Sequence, residues 1–339
     1  MRERRRNEPM PVKYWSFAGL MITYWCNAQC ASCYLNCSPR RRGDDMTIEQ
    51  TLALWEGLIS ACPHGCRIHL TGGEPFGDWP KLIEICRRAK TAGLGPLQKV
   101  ETNAFWATDA KVVREHVAAL DAAGMGKLSI SADPYHQQFV PIERCRLAAA
   151  VAEEMLGADR VQVRWRDWLA DGFDTDELSE ADRLEAFARY ASGGRDRLAG
   201  RAADVLADAS WPGIVRKSCR QLADTNCHEA VLRSRHVHVD PDGLVMPGTC
   251  AGLILGRAGS AGDVAAIWRR LADDYASRPV VGMLARGGPA ALAALAGEAG
   301  FVPRTGYISK CQLCWDVRRY LAGRAMYEAE LGPTWMYGL

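Results

Sequence analysis

Apolar and amphipathic segments alternate at regular intervals over residues 18–168 of this 339-residue chain. Apolar runs predict five β-strands, at residues 20–25, 67–71, 97–102, 127–131 and 160–165. Apolar side chains at helical spacing lie between these runs, for example at residues 142–156. The alternation predicts βα units around a parallel sheet, and residues 170–215 are the candidate for a sixth unit.

Local signals place element boundaries and divide the chain. Thr47, with Gln50 three residues later, forms a capping-box pattern that predicts the start of a helix. From about residue 216 the pattern changes, and two alternating segments joined by residues 241–243 predict a β-hairpin. Further helices are expected over residues 263–275 and from residue 311 to about residue 330, whereas residues 281–300 give no clear pattern. We therefore expect an N-terminal tail (1–17), a barrel-type domain (18–215) and a smaller domain (216–339).

Composition is that of a globular protein, with 48% hydrophobic and 24% charged residues. The net charge of +2 implies neither a nucleic acid nor an anionic membrane as a partner. The sequence contains no uninterrupted apolar run of about 18 residues, so no spanning helix is expected. No signal-type apolar segment follows the basic N-terminus, which predicts a cytoplasmic protein. Thirteen cysteines in a reducing compartment favour metal ligation or catalysis over disulfides.

Three of these cysteines stand close together directly after the first predicted strand. Cys26, Cys30 and Cys33 have the spacing C-x3-C-x2-C, with no second close pair nearby. Thiolates are soft ligands that select iron–sulfur clusters, zinc or copper(I). A structural zinc site usually takes four ligands in two close pairs. The triad therefore fits an iron–sulfur cluster with one iron left open, and the alternative is three buried cysteines without a metal.

Gly72, Gly73, Glu74 and Pro75 follow the second predicted strand, at the end where (β/α) barrels place their active sites. Paired glycines allow the backbone to approach a ligand closely, and Glu74 can accept a hydrogen bond from an ammonium group. An isolated tetrapeptide of this kind is an ordinary turn. Its position after the strand that follows the cysteines favours a functional interpretation.

The cysteine spacing and residues 72–75 resemble the signature of the radical S-adenosylmethionine (radical SAM) enzymes. The resemblance implies an α/β fold with a partial (β/α)6 TIM-like barrel, since a complete eight-fold barrel needs more units than the pattern contains. It implies that Cys26, Cys30 and Cys33, followed by the aromatic Tyr34, bind a 4Fe–4S cluster whose open iron chelates S-adenosylmethionine. Residues 72–75 would bind the amino group of S-adenosylmethionine, and a flavodoxin- or ferredoxin-type protein would supply electrons.

Polar residues after the later strands are further candidates. Asn103, Ser131 and Asp133 lie in segments that resemble family positions in contact with S-adenosylmethionine. Arg164 can pair with a carboxylate. Strand-end capping or a surface ion pair is the alternative for these residues. Tyr135 and His136 are the catalytic candidates, because titratable side chains at this rim can transfer protons or bind substrate. A purely structural histidine is the alternative for His136.

A second group of cysteines lies in the C-terminal third of the chain. Cys227 and Cys250 flank the predicted hairpin, and Cys311 and Cys314 form a C-x2-C pair at a helix start. The segment resembles the SPASM and twitch extensions of radical SAM enzymes, which carry auxiliary iron–sulfur clusters and which we expect to form a small α+β domain. Because no cysteine follows Cys314, the resemblance implies a twitch-type arrangement with one auxiliary 4Fe–4S cluster. Cys219 is an alternative ligand, and zinc held by four thiolates is the alternative occupant.

The resemblance implies reductive cleavage of S-adenosylmethionine to a 5′-deoxyadenosyl radical, which abstracts a hydrogen atom from a substrate. The cofactor carries this chemistry, and the protein positions it. Modification of a ribosomally made peptide is the expected function. Oxidation or rearrangement of a small molecule, such as a sugar or a natural-product precursor, is the alternative. A non-catalytic cysteine-rich metal-binding protein is the alternative from another class, against which residues 72–75 argue.

Overall fold

The computed structural model describes residues 11–41, 43, 45–192, 198–206 and 215–339. Its strands are β1 (Phe17–Thr23), β2 (Arg67–Gly72), β3 (Leu97–Thr102), β4 (Lys127–Ile130), β5 (Val161–Val163), β6 (His236–Val239), β7 (Leu244–Pro247) and β8 (Gly256–Arg257). Its α-helices are α1 (Ile48–Ala61), α2 (Trp79–Thr91), α3 (Ala110–Ala122), α4 (Ile142–Leu156), α5 (Arg166–Asp171), α6 (Glu180–Ser192), α7 (Arg201–Val205), α8 (His228–Val231), α9 (Ala261–Asp274), α10 (Pro279–Glu298) and α11 (Lys310–Ala322). Residues 1–10 of the predicted tail lie outside the described residues.

The strands form one sheet in the order β5-β4-β3-β2-β1-β6-β7-β8. The first six strands in this order, β5-β4-β3-β2-β1-β6, are parallel to their neighbours. The β6–β7 and β7–β8 pairs are antiparallel. The predicted βα alternation and parallel sheet are confirmed, and β3 and α4 have the predicted bounds. Thr47 caps α1 by accepting a hydrogen bond from the Gln50 amide, as the capping-box pattern indicated. An open, mostly parallel sheet with connecting helices agrees with the predicted partial barrel.

The sixth parallel strand does not come from residues 170–215, where the sequence pattern placed the candidate. In the described part of that segment the chain forms the end of α5, then α6 and α7, and no strand. The position is taken by β6, which pairs with β1 so that Gly19 lies beside His238. Both strands alternate between a buried apolar face and an inner face, which explains why they pair in this register. The sheet therefore includes residues from both sides of the predicted division at residue 216.

The two faces of the parallel strands differ in chemistry. Ala18, Leu20 and Ile22 of β1 are fully buried and belong to the hydrophobic core. Residues of the neighbouring strands on the opposite face alternate with core residues and are polar: His69, Thr71, Lys99, Glu101 and Ser129. This polar face lines the inside of the partial barrel, and Thr71 and Glu101 reach the cleft described below.

Two C-terminal helices differ from the sequence-based expectation. Residues 281–300 lie largely in α10, which is interrupted at Gly288, where φ is 68° and a Cβ atom would lie 1.8 Å from the Thr225 carbonyl oxygen. α10 is long and apolar enough to span a membrane, yet 61% of its apolar window is buried, and it packs against α8 and α11 as a core helix does. α11 ends at Ala322 rather than near residue 330.

Close packing of α1 against α9 connects the first βα unit to the C-terminal part of the chain. A Cβ atom at Gly57 of α1 would lie 2.4 Å from the Ala261 carbonyl oxygen at the start of α9. A Cβ atom at Gly262, the next residue of α9, would meet no atom within 4 Å. The contact between the two helices therefore depends on the missing side chain at Gly57.

Replacing Gly57 by alanine should destabilise the protein. We expect Gly57→Ala to lower the free energy of unfolding by about 1–3 kcal/mol, the usual cost of overpacking. Gly262→Ala is the matched control, because it makes the same change in the same helix pair at an open position. It should leave stability unchanged or slightly higher, since alanine favours helices over glycine. Urea unfolding followed by circular dichroism measures both, and equal midpoints would contradict the close contact.

Candidate functional site

A cleft opens at the carboxyl ends of β1 to β5. It brings together most of the site residues predicted from the first half of the chain: Cys26, Cys30, Cys33, Tyr34, Gly72, Gly73, Glu74, Asn103, Ser131, His136 and Arg164. Further polar residues in the lining were not predicted, namely Cys37, Thr71, Glu101 and Thr102. The predicted residues Pro75, Asp133 and Tyr135 lie outside this lining.

The loop after β1 places the three predicted thiols in the cleft. Cys26 and Cys30 are buried, whereas Cys33 is partly exposed. Burial raises the pKa of Cys26 to about 12, with the nearby Glu74 carboxylate adding to the effect, and burial also raises the pKa of Cys30. The Ala28 amide, 3.4 Å from Cys26 Sγ, acts in the opposite direction by donating to the sulfur. Buried thiols with raised pKa values lose their protons only when positive charge lies close to them. A bound metal cluster provides such charge.

Cys33 and Cys37 form a hydrogen-bonded pair. The Cys37 thiol donates to Cys33 and lowers the pKa of Cys33, while the same bond and burial raise the pKa of Cys37. The thiolate, which is the form that binds metals, is therefore favoured at Cys33. Cys37 was not predicted as a site residue, because it lies outside the C-x3-C-x2-C spacing.

Arg201 of α7 fixes the cysteine loop. Its guanidinium donates to the Cys30 carbonyl at 2.6 Å, the Cys37 carbonyl at 2.8 Å and Asn36 Oδ1 at 3.0 Å. Its backbone amide donates to the Cys33 carbonyl at 2.9 Å. One residue therefore holds the carbonyl groups of three cysteines. No local sequence pattern predicted the role of Arg201. The residue lies in a helix of only five residues, and its partners are far away in the sequence.

Gly72 and Gly73 allow the end of β2 to contact the backbone that leaves β1. Gly72 has φ 128°, and a Cβ atom there would lie 2.3 Å from the Thr23 carbonyl oxygen. A Cβ atom at Gly73 would lie 1.9 Å from the Trp25 carbonyl oxygen. The Gly73 and Glu74 amides donate to the Thr23 and Trp25 carbonyls, respectively, each at 2.8 Å. The glycines are thus needed for a backbone contact, and their expected approach to a ligand stays a prediction.

Glu74 is 1% exposed, and its carboxylate accepts three hydrogen bonds. The donors are the Asn103 amide at 2.6 Å, the Thr102 hydroxyl at 2.9 Å and the Phe76 amide at 3.2 Å. Burial raises the pKa of Glu74 to about 7, although these bonds favour the ionised form. A carboxylate offers about four acceptor positions, so this one retains capacity for a cationic group.

Asn103 connects Glu74 to the cysteine loop. Its Nδ2 donates to Asn27 Oδ1 at 2.8 Å and lies 3.8 Å from Cys26 Sγ. Its Oδ1 accepts a hydrogen bond from the Phe105 amide at 3.0 Å. The ends of β2 and β3 and the loop after β1 therefore share one polar network around the first thiol.

Asp133 orients His136 within the cleft. The Nδ1 atom of His136 lies 2.8 Å from Asp133 Oδ1, which also accepts hydrogen bonds from the Tyr135 and His136 amides. Burial favours the neutral form of both side chains, but their mutual attraction outweighs it. The pKa of Asp133 is therefore lowered and that of His136 raised. With Nδ1 engaged, Nε2 is the nitrogen of His136 that can exchange a proton with a bound molecule.

Two predicted residues point away from the cleft. Tyr135 is fully buried, donates to the Phe187 carbonyl at 3.2 Å and packs against Phe187 and Tyr190 of α6. The turn that brings His136 to the cleft directs Tyr135 against α6, so its position does not support the predicted catalytic role. Pro75 is buried at the start of a short 3-10 turn behind Glu74, where its fixed φ favours the turn.

Ser131, Arg164 and Tyr34 line the cleft from different elements. The Ser131 amide donates to the Thr102 carbonyl, and the Arg164 amide donates to the Ile130 carbonyl, each at 2.9 Å. These backbone bonds continue the parallel pairing and fix where both side chains start. Burial raises the pKa of Tyr34, which keeps its hydroxyl protonated. The predicted contacts of these residues with a ligand stay predictions.

The four predicted auxiliary cysteines converge in the C-terminal part. Cys227 precedes α8, Cys250 follows β7, and Cys311 and Cys314 lie in the first turns of α11. Burial raises the pKa of Cys227 to about 12 and that of Cys250 to about 11, and the other thiols of the group add to both shifts. Such an effect requires short distances, so these thiols form one group.

Cys219 and Arg318 differ in their relation to this group. Burial is what raises the pKa of Cys219, whereas neighbouring thiols contribute at Cys227 and Cys250. The buried Arg318 of α11 donates to the Ala251 carbonyl at 2.7 Å, and its positive charge opposes the rise at Cys250. The arrangement therefore favours Cys227 over Cys219 as the fourth ligand, with a guanidinium to balance thiolate charge.

Residues 18–142 match the family model of a 4Fe-4S single cluster domain. We refer to residues 18–142 as the 4Fe–4S domain, after the model that they match. It contains the cysteine loop, Glu74 and the ends of β3 and β4, so the match confirms the predicted iron–sulfur cofactor and agrees with the radical SAM resemblance. No curated protein matches the chain significantly.

Solved structures with a similar course of the chain include BtrN in complex with AdoMet and 2-DOIA. BtrN is 17% identical, with a TM-score of 0.49 over 82% of this chain and 90% of BtrN. A structure of anSMEcpe with bound AdoMet and Cp18Cys peptide is 12% identical, with a TM-score of 0.44 over 91% of this chain and 97% of that one. Likeness at this level assigns no substrate to the 4Fe–4S domain or to the rest of the chain.

Replacing Arg201 by alanine should loosen the iron of the 4Fe–4S domain. The variant loses three side-chain hydrogen bonds to the cysteine loop, and lost outer contacts typically weaken metal binding about 10- to 100-fold. Anaerobically reconstituted Arg201→Ala protein should therefore release iron to a chelator roughly tenfold faster or more. Arg183→Ala is the matched control, because Arg183 also donates to three carbonyls, those of Thr175, Asp176 and Leu178. Equal release rates in the two variants would contradict the role of Arg201.

Proposed function

We propose that this protein is a radical SAM enzyme that cleaves S-adenosylmethionine reductively and abstracts a hydrogen atom from a substrate. The observation that carries the proposal is the meeting of three thiols, Glu74 and polar strand-end residues in one cleft. A protein that only stored metal would need the thiols, but it would not need a cleft with positioned polar groups beside them.

The N-terminal thiols fit a 4Fe–4S cluster with an open iron. Cys26, Cys30 and Cys33 offer soft ligands, Arg201 holds their loop, and burial shields Cys26 and Cys30 from solvent. When bound, such a cluster would supply the electron for cleavage of S-adenosylmethionine to methionine and a 5′-deoxyadenosyl radical. We propose a flavodoxin- or ferredoxin-type protein as the electron donor.

In this proposal the chain's own residues bind and orient S-adenosylmethionine. Glu74 accepts a hydrogen bond from the ammonium group, and the Asn103 network holds Glu74 at a fixed distance from Cys26. Ser131 and Arg164, at the ends of the next two strands, contact the ribose and the carboxylate. Glu74, Ser131 and Arg164 all line the same cleft, which supports a ligand that contacts several strand ends.

His136 is the residue that we propose for proton transfer or substrate binding. Asp133 acts through His136 by holding its Nδ1 atom and stabilising its protonated form. The imidazole then presents its other nitrogen to the cleft as a hydrogen-bond donor, which suits a carboxylate or a carbonyl oxygen of a ligand.

For Cys227, Cys250, Cys311 and Cys314 we propose one auxiliary 4Fe–4S cluster. Four thiolates complete the ligand shell, so this site serves electron transfer or structure rather than radical initiation. Zinc held by the four thiolates is the alternative occupant of this site, and the metal analysis described below distinguishes the two.

The substrate class that we propose is a ribosomally made peptide, which the resemblance to SPASM and twitch proteins supports. The polar inner face of the sheet favours a second candidate, the oxidation or rearrangement of a small polar molecule such as a sugar. Lys99 and Glu101 offer hydrogen bonds to such a molecule below the cleft. Mass spectrometry of peptides and of sugars incubated with the reduced enzyme and S-adenosylmethionine distinguishes the two.

Replacing Cys26, Cys30 and Cys33 together by alanine should abolish formation of 5′-deoxyadenosine. Anaerobically reconstituted wild-type protein should carry about eight irons per chain, the sum of two four-iron clusters, and the triple variant about four. Liquid chromatography measures the product, and metal analysis measures the iron. Undiminished 5′-deoxyadenosine formation would refute the proposed role of the N-terminal thiols.

The reciprocal variant, Cys311→Ala with Cys314→Ala, is the matched control for that experiment. It should also carry about four irons, yet it should still form 5′-deoxyadenosine in the absence of substrate. Wild-type protein that saturates at about four irons and holds one zinc at the C-terminal thiols would contradict the auxiliary cluster. It would leave the proposed radical chemistry of the N-terminal site in place.

Glu74→Gln should weaken the binding of S-adenosylmethionine roughly tenfold or more, since a hydrogen bond to a charged group contributes about 1.5–3 kcal/mol. The iron content should remain that of the wild type. Glu330→Gln is the matched control, because Glu330 is also buried and accepts two backbone amides, those of Val280 and Val281, outside the cleft. Isothermal calorimetry measures the affinities, and equal values for the two variants would argue against the role of Glu74.

A further inference from the structure

Three histidines from two strands converge on the inner face of the sheet, two residues below the cleft. His69 of β2 and His238 of β6 flank Gly19 of β1 in the register of the sheet, and His236 precedes His238 by two residues. One ring nitrogen of each lies within 4.8 Å of the others, and His69 Nε2 is 3.0 Å from His236 Nε2. His69 and His238 are 2% and 3% exposed, so these rings are shielded from bulk solvent.

Gly19 provides the space in which the rings meet. A Cβ atom at Gly19 would lie 2.6 Å from His69 Nε2 and 2.7 Å from His238 Nε2. The place where a side chain would begin is therefore bordered by the ligand atoms of both neighbouring strands. Glycine weakens a strand interior and marks the close approach of another group, which here is a pair of imidazoles.

Glu101 lies beside the Nδ1 atom of His69. The Nδ1 atom is 3.2 Å from Glu101 Oε1, and Glu101 also contacts Lys99 Nζ at 2.7 Å and the Thr71 hydroxyl at 2.6 Å. A carboxylate at this distance favours the proton of a neutral His69 on Nδ1, which leaves the lone pair of Nε2 for a metal ion. The ring of Phe17 packs on His69 and His236, with centroids 4.7 and 4.6 Å away, and restrains both.

A hydrogen bond between two histidines accounts for only part of this arrangement. It explains the contact of His69 with His236, but it does not explain why His238 brings a third ring nitrogen to the same place. The packing of the rings by itself requires a glycine at position 19, since a Cβ atom there would also lie 2.2 Å from His238 Cδ2. A common partner of all three nitrogens explains why the third ring approaches the other two.

We propose that His69, His236 and His238 bind one divalent metal ion of the zinc type. Imidazole nitrogen suits zinc, and three protein ligands with an open fourth position are the number found in catalytic rather than structural zinc sites. The fourth position faces the inside of the partial barrel and takes water or an oxygen atom of a molecule held there. The proposal uses neither cysteine group and does not depend on the proposed radical chemistry.

Zinc binding by the holoprotein tests the proposal. Protein whose cysteine sites already carry iron–sulfur clusters is dialysed against Zn²⁺ and should retain about one zinc per chain. X-ray absorption at the zinc edge should show nitrogen ligands at about 2.0–2.1 Å. The double variant His69→Ala, His238→Ala should retain none. His64→Ala is the matched control, because His64 is exposed in the loop before β2, and it should retain the zinc.

A second variant keeps all three imidazoles. Gly19→Ala places a methyl group between the ring nitrogens and should weaken zinc binding at least tenfold, with the iron content unchanged. Zinc retained by the double variant, sulfur ligands at about 2.3 Å, or no zinc in the wild-type protein would each overturn the proposal. Should the double variant fail to fold by circular dichroism, the ligand distances in the wild-type spectrum decide alone.

Discussion

The backbone contact between the end of β2 and the segment that leaves β1 determines the geometry of the whole cleft. Gly73 and Glu74 donate to the carbonyls of Thr23 and Trp25, and Cys26 is the next residue along the chain. Two short backbone bonds therefore set the distance between the backbone of Glu74 and the first thiol, and the hydrogen bonds around Asn103 then hold the Glu74 carboxylate in place. A side chain at either glycine would separate these segments, and misplacement by about 1 Å is costly in an active site.

The cleft beside this backbone contact brings several acidic groups close together. The cleft contains several thiols together with the carboxylates of Glu74 and Glu101, and Asp133 lies behind His136. Burial raises the pKa of Glu74 to about 7 and that of Cys26 to about 12, because each charge is unfavourable without a partner. Cationic groups relieve this cost. A cleft of this kind is suited to a metal cluster beside the thiols and an ammonium group beside Glu74, and each would stabilise the ionised form of its neighbour.

Features that depend on short stretches of sequence could be predicted, whereas features that depend on distant partners could not. β3 and α4 were predictable because their apolar patterns are long and regular, and the Thr47 cap because its partner lies three residues away. The position of β6 beside β1 could not be predicted, because a strand of four residues carries little information about which strand it pairs with. The contact of Arg201 with the cysteine loop joins residues that are far apart in the sequence, and so does the meeting of His69 with His236 and His238. For the histidines, Gly19 within an apolar strand was the one local signal.

The 4Fe–4S domain and the C-terminal thiols are held relative to each other in two ways. α7 provides a direct link: Arg201 at its start binds the cysteine loop, and Asp204, nearly one turn later, pairs with Arg319 of α11 at 3.0 Å. This ion pair is partly exposed, so it contributes at most about 1 kcal/mol and cannot fix the geometry alone. The stronger constraint is the shared sheet, in which β6 pairs with β1 over four residues. Together, the links through α7 and β6 restrict movement of the C-terminal thiols relative to the cysteine loop.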